Sequence, residues 1–266
     1  TSETTVADNL TVTGDFAAGN FKFGGTDFTN SMLIGHSTTG TLDAASDNIG
    51  IGAAALDALT TGDRNIGIGS SSLTALNTGL YNTCMGYYSG AAITDGENNV
   101  GVGYLALRLN QSGDRNTAVG YDALYTQTGN DSTAVGYDAL KVTTGAFNTA
   151  IGKDAGVLVA AGAYNICIGY DGGDNITSGD GNVIIGSVDA ASATGDRQLM
   201  ITGYDGSTTT TWISGDSSGN VTMPAELAAV SLDISGAIDI DGTTNLDAVD
   251  IDGAVQIDAT FTSGVD

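Results

Sequence analysis

The chain of 266 residues carries 31 acidic against 7 basic side chains, a net charge of −24, with 40 glycines, one proline and only 6% aromatic residues. That charge argues against nucleic acid as a partner, and the scarcity of bulky apolar side chains argues against a single thick core. No apolar run approaches the ~20 residues of a membrane-spanning helix, so membrane insertion by that route is not expected.

In chain order, residues 1–30 hold two short alternating runs, Leu10-Thr11-Val12 and Phe21-Lys22-Phe23, set among glycines. They read as a lead-in of short strands. Ser31-Met32-Leu33-Ile34-Gly35 then reads as a degenerate first coil of a stack, because it lies 17 residues ahead of a phrase that recurs nine times. The phrase is a polar residue, an apolar one, a small one, an apolar one and a glycine. It starts at Asn48, Asn65, Asn82, Asn99, Asn116, Ser132, Asn148, Asn165 and Asn182, every 17 or, twice, 16 residues. Its closing glycines are Gly52, Gly69, Gly86, Gly103, Gly120, Gly136, Gly152, Gly169 and Gly186. A second glycine recurs three residues before each next start, from Gly62 to Gly195. Two glycines at fixed phase predict two backbone corners per unit, needing positive φ or close approach. The short alternating run between them is a strand.

The unit is therefore expected to be one coil of an all-β, parallel β-roll or β-solenoid over residues 31–203. At strand spacing the nine coils stack to roughly 43 Å. The apolar pair of each strand, such as Ile66 and Ile68, is expected to face the coil interior. The small residue between them, Gly67, Ala118 or Ala134 for example, is expected to point outward against a closely packed neighbour. Leu56, Leu73, Leu107, Leu124 and Leu140 supply the other inward wall, which Gly90, Gly156, Gly173 and Ala190 interrupt. Gln198-Leu199-Met200-Ile201 reads as a degenerate last coil, the kind of end a stack requires. Residues 204–266 read as a connector and a narrow Asp-rich β shaft, with Asp-Ile-x-Gly at Asp233, Asp239 and Asp250. Cys84 and Cys167 share one phase five coils apart, too far to pair with each other.

The run Asn-Thr-Ala-Val-Gly-Tyr-Asp-Ala-Leu at Asn116–Leu124, nearly repeated at Ser132–Leu140, resembles the head repeats of trimeric autotransporter adhesins. It is more similar still to the repeats of viral tail-fibre proteins. The resemblance covers about 170 of the 266 residues and implies a left-handed β-roll, a homotrimer packed about a common axis, and a role in adhesion. Implied partners are a host surface glycan or protein receptor and other virion or fibre proteins. The implied location is a virion tail fibre, with a bacterial cell surface as the alternative.

Four sets of candidate residues remain. Asn48, Asn65, Asn82, Asn99, Asn116, Asn148, Asn165 and Asn182 predict a ladder of side-chain amides, each bonding the coils on either side. Tyr87, Tyr104, Tyr121, Tyr137 and Tyr170 follow the first glycine and predict an exposed column suited to sugar or protein contact, or to packing on itself. Asp122, Asp138, Asp154 and Asp171 come next in phase; like charges stacked at strand spacing suit Ca²⁺, as do Asp239, Asp241, Asp250 and Asp252 in the shaft. No other cofactor is indicated. His36, the only histidine, stands among Ser and Thr and reads as a surface residue, which leaves acid-base catalysis without support. A structural and adhesive fibre segment that is not an enzyme is the leading expectation. A fibre-borne polysaccharide depolymerase is one alternative. An ice-binding solenoid is another, from the column Thr83, Thr117, Thr133 and Thr149, though its neighbours Ile and Val read as buried.

Overall fold

The computed structural model describes residues 21–25, 28–34 and 44–224. The Leu10–Val12 run, His36 and the shaft with Asp239, Asp241, Asp250 and Asp252 lie outside the described residues. The described part is all-β. It opens with β1 (Phe21–Gly25), β2 (Phe28–Ile34) and β3 (Ala45–Ser46). Nine three-residue strands follow, one per predicted phrase: β4 (Ile49–Ile51), β5 (Ile66–Ile68), β6 (Thr83–Met85), β7 (Val100–Val102), β8 (Thr117–Val119), β9 (Thr133–Val135), β10 (Thr149–Ile151), β11 (Ile166–Ile168) and β12 (Val183–Ile185). The last are β13 (Leu199–Tyr204), β14 (Thr209–Gly215) and β15 (Val221–Thr222). All belong to one sheet, and from β4 to β12 each strand pairs in parallel with the next in chain order. The register equals the repeat, for example Ile49↔Ile66 and Thr117↔Thr133, so the chain is a β-solenoid of one strand rung per coil.

Both degenerate end coils join the ladder. Met32 of β2 pairs in parallel with Ile49, and Leu199 of β13 with Val183. Beyond each, the direction reverses: β1 runs antiparallel to β2, and β14 and β15 run antiparallel after β13.

Which face of the strand points inward is the reverse of the expectation. The middle residues Cys84, Ala118, Ala134, Ala150, Cys167 and Ile184 are fully buried, while the flanking residues are half-exposed or exposed, up to 44% for Ile151. A 17-residue coil is thin, and the leucine wall already fills most of it. Leu56, Leu73, Leu107, Leu124 and Leu140 are fully buried, so the facing strand has room only for Gly or Ala. Three of the four interruptions in the leucine wall fall where the strand residue is larger. Cys84 faces Gly90, Cys167 faces Gly173, and Ile184 faces Ala190. A Cβ on Gly90 would lie 2.6 Å from Cys84 Sγ, and one on Gly173 2.9 Å from Cys167 Sγ. Ala150 faces Gly156, where a Cβ would meet Leu140 Cδ2 at 3.1 Å and Cys167 Sγ at 3.3 Å, so neighbouring coils fill that gap. Large opposite small holds core volume constant, which a close-packed interior demands. Burial pushes both thiols up to about 12, so Cys84 and Cys167 are packing residues with little thiolate character.

The two glycine columns serve different needs. Gly52 through Gly186 have φ between +116° and +146°, a region essentially closed to residues with a Cβ, and that Cβ would also strike the residue one coil on, a glycine in every case but Thr202 after Gly186. The second column has no positive φ. There a Cβ would collide with the next coil's carbonyl, the ladder amide or both, so close approach alone requires glycine. Three further positions in most coils are left-handed, usually without glycine, exemplified by Arg115 (φ +56°), Asp122 (+52°) and Leu124 (+50°). Each has its N–H bonded to a neighbouring coil: Arg115 to Glu97 O, Asp122 to Tyr104 O and Leu124 to Ala139 O, at 2.9–3.1 Å. Those bonds offset a backbone cost of about 1–2 kcal/mol per residue.

Candidate functional site

Beside the strands, the Asn column is a buried ladder. In each regular rung one amide oxygen accepts both the backbone N–H and the side-chain N–H of the next Asn. Asn65 N and Nδ2 lie 2.9 and 3.1 Å from Asn48 Oδ1, and the pattern recurs from Asn65 to Asn82 and from Asn82 to Asn99. The second N–H of Asn65 reaches the carbonyl of Gly79 at 2.9 Å, which ties the ladder to the second glycine column. At the rung held by Ser132, in a 16-residue coil, Ser132 N donates to Asn116 Oδ1 and Ser132 Oγ accepts from Asn148 N at 3.2 Å. Gln127 Nε2 also reaches Asn116 Oδ1, supplying the amide that the serine lacks. From Asn148 the ladder resumes through Asn165 and Asn182 and ends on Gln198.

On the opposite flank of the strands, Tyr87, Tyr104, Tyr121 and Tyr137 stack with ring centroids 4.9–5.5 Å apart and planes within 12°. Their faces cover one another, so a partner meets ring edges and hydroxyls. Lys153 occupies the next rung, 5.8 Å from the Tyr137 ring centre and 5.0 Å from that of Tyr170, and extends the column as a cation on two aromatic faces.

The adjacent Asp column is partly neutralised from within the chain. Lys141 Nζ lies 2.8 Å from Asp122 Oδ2 and 3.1 Å from Asp138 Oδ2, and Lys153 pairs with Asp154. Hydrogen bonding to Asp122 holds the Lys141 ammonium above its ordinary range. Ammonium groups thus offset part of the charge of the column for which calcium was considered. Among the described residues no group of three or more His, Cys, Asp or Glu side chains is placed to hold a metal ion.

Further along the stack a carboxyl pair lies beyond Lys153 and Asp154. Asp174 sits with Asp189, near Asp171 and Asp154; Asp171 and Asp189 also line a cavity of about 380 Å³ with Ser187, Val188 and Thr209. Burial, a hydrogen bond with Asp189 and the neighbouring carboxylates, in that order, push Asp174 up to about 7. A carboxyl whose folded pKa is raised from 3.8 to about 7 takes up its proton more readily when folded. Stability therefore rises as pH falls through 7, and the gain is complete below the unfolded value. Asp131, Asp205 and Asp216 are shifted the opposite way, so their contribution is lost only below the ordinary carboxylate range. Thermal melts between pH 8 and 5 are expected to show Tm rising on acidification. Asp174→Asn is expected to flatten that slope and to melt above the parent at pH 8; an unchanged slope would count against the shared proton.

The outward face of the strands is continuous from β4 to β13. Two columns, Ile49 to Leu199 and Ile51 to Ile201, stand on it side by side without a single charged residue. Met85, Val100, Val119, Val135, Ile151 and Ile166 are exposed. Reading the pair as interior hid this surface at the level of sequence. Comparison with protein families, with curated proteins and with solved structures gives no significant match.

Proposed function

We propose that this chain is a structural and adhesive fibre segment: a β-solenoid that associates side by side as a homotrimer in a viral tail fibre and contributes to host-surface attachment. The observation that carries this reading is the uncharged outward strand face. In a chain of net charge −24, two adjacent columns stay free of charge across the whole stack. Monomeric proteins rarely leave so continuous an apolar surface in water, and parallel sheets are normally covered on both faces. The number three and the virion setting rest on the resemblance of the repeats. A bacterial trimeric adhesin is the alternative and would use the same face.

Light scattering on the intact chain is expected to give three chain masses. Val119→Asp/Val135→Asp/Ile151→Asp, which places unpaired carboxylates in that face, is expected to reduce the mass threefold while the β circular dichroism persists. Ala134→Phe acts differently: it overpacks the coil interior, costs about 1–3 kcal/mol and lowers Tm. A monomeric wild type would overturn the proposal.

One observation favours a second reading. Thr117-x-Val119, Thr133-x-Val135 and Thr149-x-Ile151 face outward on three consecutive rungs, as an ice-binding array would. Thermal hysteresis from a monomeric wild type would select it over the fibre.

A further inference from the structure

The hairpin that follows the last coil carries the chain's only tryptophan. Between β13 and β14 the register steps from Ile201↔Ile213 to Thr202↔Thr211, which leaves Trp212 as the extra residue of a bulge. A bulge turns its side chain out of the ordinary alternation. Here the indole lies across Gly203, where a Cβ would come within 2.9 Å of Trp212 Cη2. Glycine at 203 leaves room for the ring against the backbone, yet Trp212 remains 58% exposed. Beside it is a cavity of about 320 Å³ lined by Gly203, Tyr204, Asp205, Thr208, Thr210 and Trp212. Asp205 is anchored by its turn, where Oδ1 accepts from Ser207 N, Ser207 Oγ and Thr208 N at 2.8–3.0 Å. Those three bonds fall on Oδ1 and Oδ2 takes none of them.

We propose that this hairpin is a carbohydrate subsite for one pyranose unit of a neutral glycan, with Trp212 as the stacking platform and Asp205, Thr208 and Thr210 meeting the sugar hydroxyls. A pyranose has one apolar C–H face and a rim of hydroxyl donors, and the hairpin offers a rigid aromatic plane next to a fixed carboxylate acceptor. The cavity lies at the small end of the range for ligand sites, which fits one ring rather than a long chain. Uronic and sialic acids are disfavoured, because Asp205 would oppose their carboxylates within a chain of net charge −24. Tyrosines of the stacked column cannot serve in this way, since their faces are occupied by one another. The proposal rests on the adhesive reading and supplies the chemistry of its ligand.

Since Trp212 is the sole tryptophan, its emission reports the site directly. The full chain would be titrated with N-acetyllactosamine, chitobiose and cellobiose, and with sialyllactose and galacturonate oligomers as acidic controls. A saturable emission change with a neutral sugar and none with the acidic ones is expected. Asp205→Asn keeps the fluorophore and is expected to weaken that binding about tenfold, the loss of one charge-assisted hydrogen bond. Trp212→Ala, checked for folding by circular dichroism, is expected to abolish saturation-transfer signals from the sugar. No saturable change with any neutral sugar would overturn the subsite. Transfer signals undiminished in Trp212→Ala would also overturn it, while leaving the adhesive reading intact with its contact elsewhere. A monomeric wild type that still binds through Trp212 would sink the fibre reading and keep the site.

Discussion

Gly120→Val is expected to lower stability by about 2–6 kcal/mol, enough to unfold the middle of the stack near ambient temperature. Two costs of about 1–3 kcal/mol each combine. Gly120 has φ +141°, a conformation that a β-branched residue essentially never adopts. Even if the backbone tolerated it, the new Cβ would sit 2.6 Å from the carbonyl carbon of Gly136, so the two coils would have to separate. Separation breaks the bonds of both coils to their neighbours, and each coil is supported only by those neighbours. Thr128→Ala, at an exposed position just before the second corner, is the matched control and is expected to be silent within about 0.5 kcal/mol. Thermal and urea melts of the two variants beside the parent decide the matter. A Gly120→Val melt that overlays the parent would remove the conformational role of the glycine column.

Asn165→Asp is expected to cost about 3–5 kcal/mol, although it changes one atom. The Asn165 amide donates to Asn148 Oδ1 at 3.1 Å and to Gly179 O at 2.9 Å, and its oxygen accepts two N–H groups from Asn182 at 2.9 and 3.0 Å. A carboxylate keeps the accepting side and loses both donors. Two buried oxygens are then left facing a negative oxygen, each at about 1–3 kcal/mol or more. Asn165→Ser is expected to be milder, because the chain already carries serine at one rung, Ser132. Melting temperatures in the order parent, Ser, Asp would bear this out. An Asp variant as stable as the parent would mean that the ladder contributes little.

Much of the fold was legible in the sequence because it is periodic. The strand triplets, the end coils at Met32 and Leu199, the leucine wall and the amide ladder all follow from residue type at fixed phase. The orientation of the strand was not legible from alternation. A period of two defines two faces and does not say which is inside; coil thickness decides, and a thin coil reserves its interior for leucine. The signal that would have settled it was present at three places: Cys84 with Gly90, Cys167 with Gly173, Ile184 with Ala190. Residues that compensate in volume must touch. Read as interruptions, those small residues misled; read as partners, they turn the strand around. The left-handed leucines could not have been foreseen, since inter-coil hydrogen bonding rather than propensity holds them. The placement of Trp212 was not legible because its exposure depends on a bulge and on Gly203 across the hairpin.

The reversal of chain direction at each end of the stack bears on growth. An unpaired edge of a parallel ladder is a template onto which further strands can add. Here β1 covers one such edge and β14 the other, each in the antiparallel sense, so an incoming coil of the repeat would meet the wrong hydrogen-bond pattern. The interior coils, by contrast, are nearly interchangeable, and rungs of 16 and 17 residues already coexist. Capping and counting are thereby separated: duplication or loss of one repeat changes the number of rungs, and the antiparallel strands at either end stay as they are. The stack can vary in length over evolution while the segments that reverse the chain at its two ends stay the same.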